Sequence, residues 1–453
     1  MSAMFPITGP ARRMKLLAAT IAGALLAPAL ALAETTFSLP VTEETSPNGT
    51  TFWHLEASTI PIVSVEVSFE GGARLDPEGR EGVSRLTMGL LDEGAADRDA
   101  VAASDAADAL NARFGFSTRR DSVSVTARML SENVEDAAAL LNDRLVRPRF
   151  DADAIERVRT QALSGIAADE TDPRAQASKA FYKRLFPDHP YGRTVSGTAE
   201  SVGAITRDDL VAQRGRLMSL DRVHVAVVGA IDAERAGRMV DMMLAGLPET
   251  APADAALPAD PVVAPPPGVE VVSLDIPQSV AVFGHAGIPR DDPDYIPAFV
   301  MNYVLGGGGF SSRLMTEVRE KRGLAYGVFA YLADIDGAPL YLGQVQTANE
   351  RIGESLDVIA AEWRRMAEGG VTEEELANAK RYLTGAFPLR FDSNGKIAGF
   401  LVAAQEYDLG LDYIAKRNGL VEAVTAEDIA RVASRLLDAD ALSTVVVGQP
   451  AGL

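Results

Sequence analysis

The 453-residue sequence contains no cysteine, which excludes disulfide bonds, thiolate metal ligands and a cysteine nucleophile. Basic residues are also in the minority, because 43 Lys and Arg stand against 63 Asp and Glu, giving a formal charge of −20. A chain of this charge has no surplus of cations to neutralise phosphates, so the composition argues against a nucleic-acid binder. The same charge mildly favours neutral or basic peptides as partners.

Histidine is scarce, and the four histidines (His54, His189, His224 and His285) include no two within one helical turn. A zinc motif carried on one helix is therefore absent from the sequence. A metal site assembled from distant histidines stays open, although each histidine has an ordinary role as a strand or turn residue. There is also no G-x-S-x-G motif of the kind that holds a nucleophilic serine.

Long apolar runs are absent apart from Leu16–Leu32, which follows three basic residues at positions 12, 13 and 15. The run ends in Ala31-Leu32-Ala33 and falls short of the roughly 20 residues that span a bilayer, so it has the layout of a cleaved signal peptide. We predict that residues 1–33 are a signal peptide cleaved near Ala33, and that the protein is exported, most simply to a bacterial periplasm. No other segment is apolar enough to form a stable membrane span.

The rest of the chain shows signs of an internal duplication. Residues 248–268 are rich in Pro and Ala and lack periodicity, which predicts a linker between a first domain at 34–247 and a second at 269–453. Thr206 and the later Val227-Val228-Gly229 recur with the same spacing as Thr425 and Val446-Val447-Gly448. Two echoes in the same order indicate a duplication.

Each half mixes strand and helix patterns. Residues 63–69 and 122–127 alternate apolar and polar side chains as half-buried strands do, whereas 131–145 and 151–168 carry apolar residues three and four apart. This predicts an α+β fold with two homologous halves, each a mostly antiparallel sheet backed by helices. We expect the halves to face each other across a cleft.

One segment of the second half could bring polar groups together. Gly306–Gly309 follows a predicted helix and is not followed by Gly-Lys-Ser/Thr, so it is interpreted as a flexible loop rather than a phosphate cradle. Ser311 or Ser312 then caps a predicted helix that runs to Arg322 and stops at Gly323. Arg319 in its last turn and Tyr326 at the start of the next strand could share one side of the cleft. The alternative is a solvated arginine and a packed tyrosine.

At these residues the sequence resembles the pitrilysin/insulinase family of zinc peptidases, which includes the mitochondrial processing peptidases. The resemblance extends from about Phe37 to Val447. It is carried by these motifs: Gly71-Gly72-Ala73-Arg74, His189-Pro190-Tyr191-Gly192, Leu305-Gly306-Gly307-Gly308-Gly309, Ser312-Arg313-Leu314, Arg319-Glu320 and Gly323-Leu324-Ala325-Tyr326.

The resemblance does not extend to the zinc-binding motif. Active family members carry H-x-x-E-H on a helix of the first half, where this sequence has Arg85, Met88 and Gly89. The downstream zinc-binding Glu falls near Gly165. The resemblance therefore implies no metal and no cofactor in this chain, and an arginine at a ligand position would also repel a dication.

The second half retains two functional residues of the family, although the first half lacks the zinc ligands. In active members an Arg and a Tyr seven residues apart act across the chamber from the zinc, and Arg319 and Tyr326 match this pair. The resemblance implies that the pair stabilises the developing oxyanion or holds the substrate backbone, and that Gly306–Gly309 contacts substrate.

These implications lead to a zinc-less subunit of a heteromeric metallopeptidase, which acts with a homologous partner that carries H-x-x-E-H and the zinc. Substrates would be peptides or unfolded polypeptides. Two alternatives stay open: a catalytically inert peptide-binding or scaffold homologue, and a self-sufficient hydrolase with a relocated metal site.

Overall fold

Two large β-sheets organise residues 37–453, the part of the chain that the computed structural model describes. The predicted signal peptide, residues 1–33, lies outside these residues. The sheets occupy successive halves of the chain, and the predicted linker, residues 248–268, connects the last helix of the first half to the first strand of the second.

The first half contains eight strands and eight α-helices among the described residues. The strands are β1 Thr42–Thr45, β2 Thr51–Glu56, β3 Ile62–Glu70, β4 Gly94–Ala95, β5 Arg98–Asp99, β6 Arg113–Thr118, β7 Ser122–Leu130 and β8 Val223–Gly229. The helices are α1 Val83–Leu90, α2 Ala100–Ala109, α3 Val134–Val146, α4 Ala152–Thr171, α5 Pro173–Leu185, α6 Ala199–Ala204, α7 Arg207–Leu217 and α8 Ala233–Leu244.

The second half contains five strands and six α-helices. The strands are β9 Gly268–Ser273, β10 Gln278–Ala286, β11 Ala325–Ala333, β12 Leu340–Ala348 and β13 Ser443–Gly448. The α-helices are α9 Tyr295–Asn302, α10 Ile352–Gly369, α11 Glu373–Ala386, α12 Asn394–Glu406, α13 Tyr413–Ala423 and α14 Ala426–Leu436, and two π-helices cover Tyr303–Gly307 and Met315–Glu320.

The two sheets have the same strand order, as expected for a duplicated unit. The strand order of the first sheet is β1-β2-β8-β3-β7-β6, and that of the second sheet is β9-β13-β10-β12-β11. Apart from β1, which has no counterpart, each strand of the first sheet corresponds to the strand at the same place in the second. Both sheets are antiparallel except at one pair, β2 with β8 and β9 with β13. Thr206 and Thr425 each cap the helix before the matching strand through a reciprocal capping box.

Each sheet is covered on one face by a helix from the other half. Helix α5 of the first half buries Ala177, Phe181 and Leu185 against β10, β12 and β13. Helix α12 of the second half buries Ile397 and Leu401 against β2 and β8. On the opposite faces, α3 and α8 cover the first sheet and α9, α10 and α14 cover the second, so each half is a three-layer stack whose third layer comes from the other half. Residues 37–453 consequently form one compact unit.

The helices of residues 37–453 are too short or too polar to cross a bilayer.

Candidate functional site

The turn that carries Arg319 is built from unusual helical geometry. The segment Met315–Glu320 is a π-helix rather than the α-helix that the sequence predicts. It ends as expected at Gly323, whose φ of +58° lies in the left-handed region that favours glycine. The amide of Gly323 donates to the carbonyl of Arg319 (2.8 Å), and the amide of Leu324 donates to that of Val318 (2.8 Å). These bonds direct the chain straight into β11.

Tyr326 lies at a β-bulge, which turns its ring outwards. Ala325 pairs with Thr347 and Gly327 with Gln346, so Tyr326 is the extra residue of the strand. Its side chain is 85% exposed. The Arg319 guanidinium lies 4.7 Å from the centre of the Tyr326 ring, so the predicted pair does meet.

A third residue, Phe310, also contacts the arginine. The Arg319 guanidinium carbon lies 4.6 Å from the centre of the Phe310 ring, and that ring is 65% exposed. We call Phe310, Arg319 and Tyr326 the arginine stack. The sequence reasoning missed Phe310, although a large apolar residue directly after a glycine run is a usable signal.

The glycine run is not the flexible loop that the sequence predicts. Gly306 and Gly307 belong to the π-helix Tyr303–Gly307, and Gly309 starts a short 3₁₀ turn, Gly309–Ser311. A Cβ atom on Gly306 would lie 2.7 Å from the backbone nitrogen of Ala330, and one on Gly308 would lie 2.6 Å from the carbonyl oxygen of Tyr303. The backbone that approaches these glycines thus belongs to the protein itself. Contact between Gly306–Gly309 and a substrate stays a prediction.

A buried ion pair anchors the start of this segment. The Arg313 guanidinium donates to both carboxylate oxygens of Glu375 at 2.7 Å and to the carbonyl of Gly370 at 2.8 Å. Partial burial would raise the pKa of Glu375, but the hydrogen bonds from Arg313 and Thr372 outweigh it and lower the pKa to about 2. Arg313 therefore ties the chain between Phe310 and Arg319 to the start of α11.

Helix α1 carries two of the family's three zinc-ligand positions, Arg85 and Gly89, and the general-base position, Met88, and these residues lie around a cavity of about 470 Å³. Arg85 is exposed and donates to the Ser196 hydroxyl, Met88 is buried, and a Cβ atom on Gly89 would touch Val158 of α4 at 3.4 Å. Helix α4 contributes Gln161 to the wall, whereas Gly165 does not line the cavity. We call Arg85, Met88, Gly89 and Gly165 the degenerate site.

The side chains of the degenerate site do not fit a zinc ion. Zinc needs neutral imidazoles, thiolates or carboxylates, and these four positions offer a cation, a thioether and two hydrogens. Across residues 37–453, no group of three or more His, Asp or Glu side chains is placed to hold a metal.

Direct contacts connect the first half to the strand that carries Tyr326. Arg174, at the start of α5, donates twice to the side-chain oxygen of Gln346 (2.7 and 3.2 Å), and Gln346 pairs with Gly327. A second cavity, of about 720 Å³, lies between the halves and is lined by Arg74 and Arg290, among others. The halves therefore enclose a cavity and are connected by polar contacts, but neither Arg319 nor Tyr326 lines that cavity.

The comparisons with known proteins agree with this architecture. Residues 54–199 match the family profile described as Insulinase (Peptidase family M16), and residues 204–383 match the profile described as Peptidase M16 inactive domain.

Individual relatives extend the match over nearly all of the described chain. The crystal structure of a peptidase M16 inactive domain from Pseudomonas fluorescens superposes with a TM-score of 0.85 at 30% identity, covering 91% of this chain and 98% of that one. The non-peptidase homolog YmxG of Helicobacter pylori is 27% identical over 74% of this chain and 77% of its own. An uncharacterized zinc protease of Rickettsia bellii is 23% identical over 88% and 95%. The chain therefore belongs to peptidase family M16, the insulinase family.

Proposed function

We propose that this protein is the exported, zinc-less subunit of a two-subunit peptidase of family M16. A homologous partner with H-x-x-E-H would hold the zinc and its activated water. This chain would supply Arg319, Tyr326 and half of the chamber. The observation that carries the proposal is the contrast between the two sites: the degenerate site has lost its ligands, while the arginine stack keeps a half-buried guanidinium beside an exposed phenol.

The chemistry of the arginine stack supports a role on the substrate. A guanidinium edge and a phenol hydroxyl are donors that stabilise an oxyanion or hold a peptide carbonyl, and a donor fixed in advance costs no reorganisation during the reaction. The Arg319 guanidinium lies against both aromatic rings and forms no ion pair with a carboxylate of residues 37–453, so its N–H groups stay available for hydrogen bonding.

The sheet edges support a peptide as the ligand. Strands β6 and β11 each pair on one side only, and such an edge accepts an extended peptide as an added strand. Exposed Phe329 and Tyr331 lie on β11 beyond Tyr326 and offer apolar contacts to such a strand.

A second candidate is a catalytically inert peptide-binding or scaffold homologue. The Helicobacter pylori relative is named a non-peptidase homolog, and this favours the second candidate. The exposed arginine stack favours the first, because a pure scaffold has no need for polar groups held open to solvent.

The test compares peptide cleavage by this chain alone, by an H-x-x-E-H partner alone and by the two together. We expect cleavage only by the mixture. Arg319→Ala and Tyr326→Phe should each lower kcat of the mixture by about 10²–10³-fold, the usual loss for one oxyanion donor. Arg381→Ala is the matched control, since Arg381 is exposed on α11 and bonds only to Asn378.

Size-exclusion chromatography must show that the variants still assemble with the partner. Assembled complexes with unchanged turnover would contradict the first candidate and leave the scaffold. Metal analysis of the purified chain tests the self-sufficient hydrolase: stoichiometric bound zinc, with cleavage by the chain alone, would revive it.

A further inference from the structure

The degenerate site is a shaped cavity with one cation at its rim. The 470 Å³ volume falls in the range of small-ligand pockets. Leu86, Val158, Ala162 and Val202 form apolar walls, and Ser117, Gln161 and Ser196 supply polar groups. The loss of zinc ligands has thus left a pocket rather than a filled core.

Arg85 is held in place without an internal counter-charge. Its guanidinium donates to the Ser196 hydroxyl, and no carboxylate of residues 37–453 lies within 4.0 Å of it. A fixed arginine with free N–H groups beside a pocket suits an anionic ligand group, and its fork geometry matches a carboxylate in particular.

A peptide edge runs directly along the same pocket. Strand β6 pairs with β7 on one side, and no strand of residues 37–453 pairs with it on the other. Phe116, Ser117 and Thr118, at the end of β6, line the cavity. An extended peptide added to β6 would therefore bring its backbone past the mouth of the pocket and within the neighbourhood of Arg85.

We propose that the degenerate site binds the C-terminal residues of a peptide, with the free terminal carboxylate on Arg85, an apolar terminal side chain in the cavity and the preceding residues paired with β6. The ligand class is that of hydrolysis products, since cleavage of a peptide bond creates a new terminal carboxylate. The inference goes beyond the proposed function and needs neither a partner subunit nor the arginine stack.

The test uses the purified chain alone and fluorescence anisotropy with one labelled hexapeptide ending in leucine, made as the free acid and as the C-terminal amide. We expect the free acid to bind at least tenfold more tightly. Arg85→Ala should remove the difference, Arg85→Lys should keep part of it, and Arg85→Glu should favour the amide. Arg381→Ala again serves as the matched control, and thermal unfolding of each variant verifies the fold.

A third peptide, amidated and with aspartate as its last residue, separates a terminal carboxylate from a side-chain carboxylate. Weak binding of this peptide supports recognition of the terminus. Equal binding of acid and amide by the unmodified protein, no binding of either, discrimination that survives Arg85→Ala, or equal binding of the aspartate amide would each overturn the proposal. None of these outcomes bears on cleavage by a two-subunit complex.

Discussion

Arg319 owes its position to two aromatic rings rather than to a carboxylate partner. Phe310 and Tyr326 lie at 4.6 and 4.7 Å from its guanidinium carbon. A carboxylate would fix the arginine more strongly, but it would also neutralise the charge that a substrate carbonyl or oxyanion needs. Aromatic faces orient the cation and leave its charge available.

This arrangement predicts the effect of Phe310→Ala on a cleaving complex. A cation–π contact at an exposed site contributes about 0.5–1 kcal/mol, so kcat should fall about two- to fivefold while KM changes less. Phe310→Tyr should preserve activity because it keeps the ring. Steady-state kinetics on the two variants would measure this, and identical rates for Phe310→Ala and the unmodified protein would show that Tyr326 alone orients the arginine.

Glu66 on β3 is a second single residue with a measurable consequence. Burial between the first sheet and α12 raises its pKa to about 7, nearby Arg119 opposes the shift, and Glu406 adds to it. The folded state therefore binds more protons than the unfolded state between pH 4.5 and 7. The contribution of Glu66 to the free energy of unfolding should decrease as pH rises through this window, by about 2 kcal/mol.

Glu66→Gln isolates this contribution, because the variant keeps the shape and cannot ionise. Denaturant unfolding at pH 5 and pH 8 should show that the variant gains stability relative to the unmodified protein at pH 8 and not at pH 5. Exposed Glu132 provides the control substitution, Glu132→Gln. A gain of equal size at both pH values would contradict the assignment.

At the scale of elements, the sequence predicted which segments are helices or strands better than it predicted what each element packs against. The alternation at 63–69 and 122–127 corresponds to β3 and β7, and the helical spacing at 131–145 and 151–168 corresponds to α3 and α4. Local patterns suffice there because burial on one face imposes the period of the element. The π-helix Met315–Glu320 could not be read this way, since a short change of period leaves no clear trace in six residues.

The exchange of α5 and α12 between the halves could not be predicted from the sequence either. Phe181 and Leu401 mark apolar helix faces, but an apolar face does not specify which sheet it covers. The candidate site followed the same pattern. Arg319 and Tyr326 were found through the family resemblance, which their spacing matches. Phe310 and the cavity beside Arg85 depend on contacts between segments that are separate in the sequence.

At the scale of the whole molecule, the exchanged helices predict that the two halves unfold together. Each sheet would expose an apolar face if the other half melted, so neither half has a complete core of its own. The protein provides its own reporters, because its two tryptophans lie in different halves: Trp53 in β2 and Trp363 in α10, both buried.

Trp53→Phe and Trp363→Phe each leave one reporter. Fluorescence-detected unfolding in urea should give one transition in each variant, with the same midpoint as circular dichroism of that variant. Since each substitution shifts stability a little, each variant's fluorescence is compared with its own circular dichroism. Fluorescence and dichroism midpoints that separate within one variant would show that the halves unfold independently.

The crossed packing of α5 and α12 also bears on what a break in the chain would do. The Pro- and Ala-rich segment between the halves packs on two of the core clusters through Leu257 and Val263, but Val262 is 87% exposed and therefore accessible to a protease. Cleavage of this segment by a protease would leave two fragments that stay associated, because α5 and α12 each pack on the sheet of the other fragment. The nicked protein would migrate as one particle in native conditions and as two bands only after denaturation.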